Sequence, residues 1–473
     1  MPPIKTGPKQ GTGVSTGTAI RTVGPAIPLA IALLHGALTG TAPQPPVQVP
    51  VQVQHPTVSA NSLANVNCGG GTPDSPPCKA PYPMLKKGHP VDWWFVFKLN
   101  SGKFPQCGGG DVRVCPFGGT VQTTPSYKNF GQQYVYASAE AAALQDGGKE
   151  CAGTSTADPV GATFDEVYNG DYHYVVWNDQ PYGDPAGECS GDGCSAPWGH
   201  SKGMLAWNDA GEGFVMQVST PSWPLSGSAK FPRKTDGNTL GCVKDNDVEV
   251  SQHFFALRLN KGDLVLVLEG LGNASVVTDP KNPQVVKNGG PPDVQQLVSG
   301  LGVKSPNTTF LTGMLSTGAE LISKPSKLAV PPWQMVSAVL DGVSLRTATW
   351  WMDPNALNST TAETPMGCWD NSLGKPGAVE LATSGHWKGI KFGLKGGVNP
   401  DGNHAKIGVS TSGTNSYAIF GDMNQGGSID AKNCTVSQNG RGGMFFVMTN
   451  PQLAASVSDL IAGDSVPLVS APR

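Results

Sequence analysis

With 473 residues the chain has room for two domains, or for one domain built of two similar halves, and it far exceeds a small stapled scaffold. Only 14% of residues are charged while Gly (62) and Pro (41) are abundant, which favours short strands joined by loops and excludes an all-helical fold. The net charge of −3 gives no global attraction to a polyanion, so nucleic acid would have to be held by a local basic groove.

The chain opens with Lys5, Lys9 and Arg21, an apolar stretch from Val23 to Leu38, and the small residues Gly40-Thr41-Ala42 before a proline. This basic, apolar, small order reads as an export signal over residues 1–42. From 43 to 83 a run rich in Pro, Gln and Val lacks the variety to build a core and reads as a disordered arm. No other stretch is apolar over the roughly 18 residues that a membrane span needs.

Trp93–Leu99 is the first strong strand, bounded by Pro90 and by Asn100-Ser101-Gly102. Further strands are predicted at Tyr172–Trp177, Gly213–Val218, His253–Leu259, Leu264–Leu268, Lys406–Val409, Tyr417–Phe420 and Met444–Met448. Helices are predicted at Ser138–Leu144, Asp293–Leu301, Trp333–Leu340 and Asn450–Ile461. The fold class is therefore mixed, α/β in the α+β sense. The ten cysteines, even in number and irregular in spacing, point to disulfides in an oxidising compartment. Cys189 and Cys194 have no second pair at finger spacing, which disfavours structural zinc. Asn273, Asn307, Asn358 and Asn433 head glycosylation sequons, meaningful only where the chain passes through a glycosylating secretory route.

One internal echo carries chemistry. His200-Ser201-Lys202 is followed by the strand Gly213–Val218 and Ser219-Thr220-Pro221; His404-Ala405-Lys406 is followed by the strand Tyr417–Phe420 and Gly421-Asp422-Met423-Asn424. On an extended segment residues i and i+2 share a face, so each pair presents an imidazole beside an ammonium. Lysine neutralises phosphate oxygens, and imidazole can attack phosphorus or move a proton near mildly acidic pH. Two such half-sites facing each other would supply a nucleophile and an acid with no metal or other cofactor. A third pair, His386-Trp387-Lys388, competes for the second half. The better echo selects 404 and leaves His386, Lys388 and Lys391 as a phosphate-contacting basic strip. Ser219, Asp422 and Asn424 are expected behind the histidines, with the side chains of Ser219 and Asp422 fixing the ring tautomers.

Gly199-His200-Ser201-Lys202-Gly203 also matches the G-x-S-x-G elbow of serine hydrolases. That elbow needs a strand before it and a helix after it, and the Gly- and Pro-rich context supplies neither. HExxH, P-loop and dinucleotide-binding motifs are absent from the sequence.

Val91-Asp92-Trp93, Lys98-Leu99, Trp177-Asn178-Asp179-Gln180-Pro181, Gly199 to Gly203, His404 to Lys406, Gly421 to Asn424 and Arg441-Gly442-Gly443 resemble, in that order, segments of deoxyribonuclease II, over roughly residues 90–460. The resemblance implies a phospholipase-D-like pseudodimer of two sandwich halves, 84–290 and 291–473, with the active site between them. It implies metal-independent acid hydrolysis of DNA to 3′-phosphate ends through a phosphohistidine, with His200 and Lys202 in one half and His404 and Lys406 in the other. Animal members carry a further histidine where Val218 aligns, so that role does not transfer, and the N-terminal arm has no counterpart. DNA is the implied partner, a homodimer is left open, and the implied location is secreted, periplasmic or lysosome-like. The rivals are a lipid phosphodiesterase with the same half-sites and a secreted binding protein using its tryptophans.

Overall fold

The computed structural model describes residues 79–104, 117, 133–148, 151–153, 155–185, 193–234, 238, 240, 249–352 and 355–469. The expected export signal and most of the expected arm lie outside these residues. The arm's last residues are packed: Ala80 is 4% exposed and Pro83 O accepts from Val91 N.

A short hairpin of β1 (Met84–Lys86) and β2 (His89–Pro90) leads into β3 (Trp93–Lys98), β4 (Tyr134–Ser138) and β5 (Gln145–Asp146). Helix α1 (Pro159–Tyr168) precedes β6 (His173–Asn178), β7 (Lys202–Trp207), β8 (Gly213–Val218) and β9 (Gln252–Leu259). Next come α2 (Lys261–Ala274), β10 (Val286–Lys287), α3 (Pro292–Ser299), β11 (Leu311–Met314), β12 (Ala319–Lys324), α4 (Pro332–Val339), β13 (Leu345–Ala348) and β14 (Val379–Leu381). A second hairpin, β15 (Ser384–Trp387) and β16 (Ile390–Gly393), is followed by β17 (Ile407–Ser410), β18 (Tyr417–Gly421), β19 (Gly443–Thr449) and α5 (Pro451–Leu460).

Two large sheets result. The first runs β10-β6-β7-β8-β9-β3-β4-β5, and the second, read from its far edge, runs β14-β13-β17-β18-β19-β12-β11. The central order is the same in both, with β6 answering to β13, β7 to β17, β8 to β18, β9 to β19 and β3 to β12. The edges differ, since β13 and β14 are parallel where β10 and β6 are antiparallel. The sheets meet through aromatic rings: Phe95 and Phe255 stack on Phe420 at 4.5 and 4.4 Å between centroids, and Phe255 lies 5.7 Å from Phe446. All four rings are fully buried, so truncating any one to alanine costs about 3–5 kcal/mol.

Two expected elements are corrected. Leu264–Leu268 is part of α2, not a strand. A short apolar run does not distinguish the two states, and here Asn260 and Asp263 form a reciprocal capping box that starts a helix burying Leu264, Val267, Leu268 and Leu271. Ser138–Leu144 is not helical. Its backbone is committed elsewhere: Ala139 N donates to Trp93 O, and Leu144 N to Ser456 Oγ. Helix α1 was not predicted although its start is legible, with Asp158 accepting from Gly161 N as cap and Pro159 in the first turn.

Candidate active site

His200 sits two residues before Lys202, the first residue of β7, and the peptide around it is held by the other sheet's chain. Its amide donates to Gly442 O at 2.8 Å, and its ring Nδ1 lies 2.9 Å from Asp422 O. A carbonyl only accepts, so Nδ1 carries the proton and Nε2 keeps the free lone pair of the neutral ring. Close approach here requires glycine: a Cβ at Gly442 would lie 2.1 Å from Ala274 O.

The second half-site repeats this with partners exchanged. His404 N donates to Ser251 O at 2.7 Å, and His404 Nδ1 donates to Ser219 O at 2.7 Å. Each imidazole is thus oriented by main chain that leaves a strand of the other sheet, Asp422 after β18 and Ser219 after β8. Ser219 and Asp422 are the residues expected behind the rings, but the orienting atoms are their carbonyls, and this corrects the expectation of side-chain contacts. The side chains serve a layer further back: Ser219 Oγ donates to Gln252 Oε1 at 2.5 Å, and the Asp422 carboxyl accepts from Gln217 Nε2 at 3.1 Å and Met444 N at 2.8 Å.

The two lysines differ in partners. Lys202 Nζ bonds Asp179 Oδ1 at 2.6 Å, and Asp179 Oδ2 accepts from Arg441 Nη2 at 2.7 Å. The same guanidinium donates to Trp198 O and Gly199 O, bracing the peptide just before His200. Lys406 Nζ donates to His404 O at 2.5 Å and lies 3.1 Å from His404 Nδ1, while Lys406 N donates to His253 Nδ1 at 3.1 Å. Trp350 and the His404 ring pack edge to face, with centroids 5.2 Å apart.

Burial and charge set the protonation states. His200 is held well below the ordinary imidazole range by burial, then by the charges of Lys202, Arg441 and Lys406. His404 is lowered likewise by burial, Lys406, Lys202 and His200. Each imidazole lies in the field of the opposite half's lysine, and His404 feels His200 itself. Lys406 is pushed well below its usual value by burial and Lys202. Burial would raise Asp179, but Lys202 and Arg441 overcome it and hold the carboxyl low. Asp422 is pushed up to about 7 by burial, against hydrogen bonds from Ser201, Met444 and Gln217.

Ser201 is buried, accepts from Trp177 Nε1 at 2.8 Å and bonds the Asp422 carboxyl, with strand β7 rather than a helix beginning at the next residue. It is a brace, not an elbow nucleophile. Asn424 is buried nearby and its N donates to Gln438 Oε1 at 3.2 Å, with no bond to either ring. His386, Lys388 and Lys391 lie on the β15–β16 hairpin, where they contact Ala462 O, Asp146 and Asp464 respectively. None of these contacts reaches His200 or His404. Asp179, Arg441, His253 and Trp350 were not named as site residues from sequence; the first two lie in segments that carry the family resemblance. Among the described residues no group of His, Cys, Asp and Glu could hold a metal ion.

Paired imidazoles backed by buried ammonium groups are the equipment of a phosphodiester hydrolase. The chain belongs to the deoxyribonuclease II family, whose model matches residues 78–463. It is a DNA-hydrolysing nuclease. No curated protein matches the chain. No described helix is long and apolar enough to cross a membrane.

Proposed function

We propose that the chain is a metal-independent acid endodeoxyribonuclease built as a phospholipase-D-like pseudodimer, with residues 84–290 and 291–473 as its halves. His200, Lys202, His404 and Lys406 are its catalytic groups. The observation that carries the proposal is the exchange of carbonyl partners, His200 on Asp422 O and His404 on Ser219 O, which commits both Nδ1 protons and leaves both Nε2 atoms for chemistry. The shared strand order of the two sheets supports the pseudodimer.

One neutral imidazole attacks phosphorus through Nε2. The P–O bond to the downstream 5′-oxygen breaks, and the other, protonated imidazole donates its proton to that oxygen. The second imidazole, now neutral, takes a proton from water. The hydroxide oxygen bonds to phosphorus, the P–N bond breaks, and a 3′-phosphate end leaves. Lys202 and Lys406 neutralise the non-bridging oxygens. Both imidazoles are held low before substrate arrives, so a protonated one requires acid pH and the negative charge of the bound phosphate, which raises it. His386, Lys388 and Lys391 serve as an outlying contact strip; the carboxylate partners of Lys388 and Lys391 are solvent-accessible and easily exchanged for phosphate. The disulfide between Cys368 and Cys434 supports a secreted, periplasmic or lysosome-like location.

The test is to quench single-turnover cleavage in alkali and map the adduct by mass spectrometry. A phosphorylated oligonucleotide on His200 or His404, with products bearing 5′-hydroxyl ends, is expected. A turnover without any histidine adduct, leaving 3′-hydroxyl ends, contradicts the route.

A further inference from the structure

Two lysines outside the His-x-Lys pairs are buried at equivalent places in the two sheets. Lys98 ends β3 and Lys324 ends β12, both 0% exposed. Lys98 lies opposite Gln252 on β9, and Lys324 opposite Gly443 on β19. Each ammonium reaches the peptide that leads into the neighbouring strand. Lys98 Nζ donates to Val250 O at 2.7 Å; Lys324 Nζ donates to Arg441 O at 2.9 Å, Asn439 O at 2.7 Å and Pro325 O at 3.4 Å.

The next carbonyl along each peptide holds a histidine of the opposite half. Ser251 O accepts from the His404 amide, and Gly442 O accepts from the His200 amide. Two residues further, the same segments hold the residues whose carbonyls accept from the rings. Ser219, whose carbonyl orients His404, bonds His253 through its amide at 3.0 Å and its Oγ at 2.9 Å. Asp422, whose carbonyl orients His200, bonds Met444 through its amide at 3.0 Å and its carboxyl at 2.8 Å. Every main-chain contact that fixes His404 therefore hangs on 250–253, gripped by Lys98. Every one that fixes His200 hangs on 441–444, gripped by Lys324.

A buried ammonium is expensive, and an apolar residue would close a strand end at less cost. Burial also pushes the Lys324 ammonium down to about 7, a cost that only its carbonyl contacts offset. A charge-assisted bond that fixes one peptide group also fixes the direction of the next carbonyl along the strand. We infer that Lys98 and Lys324 are positioning residues acting across the two halves, Lys98 setting His404 and Lys324 setting His200. The inference rests on reading the histidines as the catalytic pair, but its main assay does not require activity.

In the full-length protein, imidazole ring signals are followed by NMR, those of His200 and His404 being identified by their loss in His200→Ala and His404→Ala. Lys98→Met should move the His404 signals and leave those of His200, and Lys324→Met should do the reverse. In both, kcat should fall roughly 100-fold, as for an ångström-scale misplacement, with KM nearly unchanged. A lysine that only stabilises the fold would lower the melting temperature without selecting the opposite histidine. Movement of the same half's histidine, or of neither, overturns the inference. If a Met variant does not fold, Lys→Gln, which keeps a neutral donor, is measured instead. Failure of both to fold also overturns it, since a lysine required by the whole fold does not serve one ring. The nuclease reading fails separately if His200→Ala and His404→Ala still cut DNA, whatever the rings do.

Discussion

Replacing Asp179 by Asn removes the one carboxylate that both Lys202 and Arg441 bind, at 2.6 and 2.7 Å, where the Asp179 and Lys202 side chains are 0% and 3% exposed and that of Arg441 is 11% exposed. The amide retains the size and one acceptor oxygen but leaves two cations facing each other in a dry site. Breaking a buried pair from one side costs about 3–5 kcal/mol. A chain of this size moves by about 1 °C per kcal/mol, so thermal melting should fall by about 3–5 °C at pH 7. Because the folded pKa of Asp179 lies below its unfolded value, its contribution is complete above the unfolded pKa near 3.9 and is lost only as pH falls through the lower folded value. The gap between wild type and Asp179→Asn should therefore persist at pH 5, where the enzyme is proposed to work. Cleavage should drop roughly 100-fold as Lys202 loses its anchor. A melting gap that has closed by pH 5, or an Asp179→Asn variant as stable as wild type at pH 7, refutes the reasoning.

Ser201→Ala should retain most cleavage while melting earlier, because it strands the Trp177 indole donor at a cost of about 1–3 kcal/mol; abolished cleavage in a folded variant would revive a serine nucleophile. His200→Ala and His404→Ala should each lose several orders of magnitude in single-turnover rate, and the double variant little more, since the two act as one unit; additive losses would separate them. The buried imidazoles of His200, His404 and His253 are depressed, so their stability contribution is full above the unfolded value near 6.5 and fades as pH falls toward the folded values. Asp422 and Asp158, raised to about 7 and about 6, act with the opposite sign: their contribution is full below their unfolded values and fades as pH rises through the folded ones. A cleavage-resistant phosphorothioate oligonucleotide relieves only the histidine penalty, and should raise the melting temperature more at pH 5 than at pH 7. Equal shifts, or a larger one at pH 7, would sink that account.

The sequence carried the placement of the two His-x-Lys pairs further than the architecture. Alternation and the i, i+2 rule were enough to put His200 with Lys202 and His404 with Lys406 on shared faces, and the echoed strands β8 and β18 selected 404 over 386 by pairing Ser219 with Asp422. The same pairing located the residues behind the rings but named the wrong atoms, because side-chain chemistry is legible in a sequence and the direction of a carbonyl is not. Asp179 and Arg441 were missed for a related reason. They lie 262 residues apart, and only the closed fold makes them one ion cluster with Lys202. Helix α2 was misread as a strand because a five-residue apolar run carries no period of its own; its cap at Asn260 was the better signal.

The central claim is that two half-sites form one metal-free phosphodiesterase centre. It is tested most directly by plasmid nicking at pH 5 in excess EDTA with wild type, His200→Ala, His404→Ala and His386→Ala. The account predicts that wild type and His386→Ala cut and that His200→Ala and His404→Ala do not. Cutting lost in EDTA and restored by magnesium, or lost in His386→Ala and kept in His404→Ala, would contradict it.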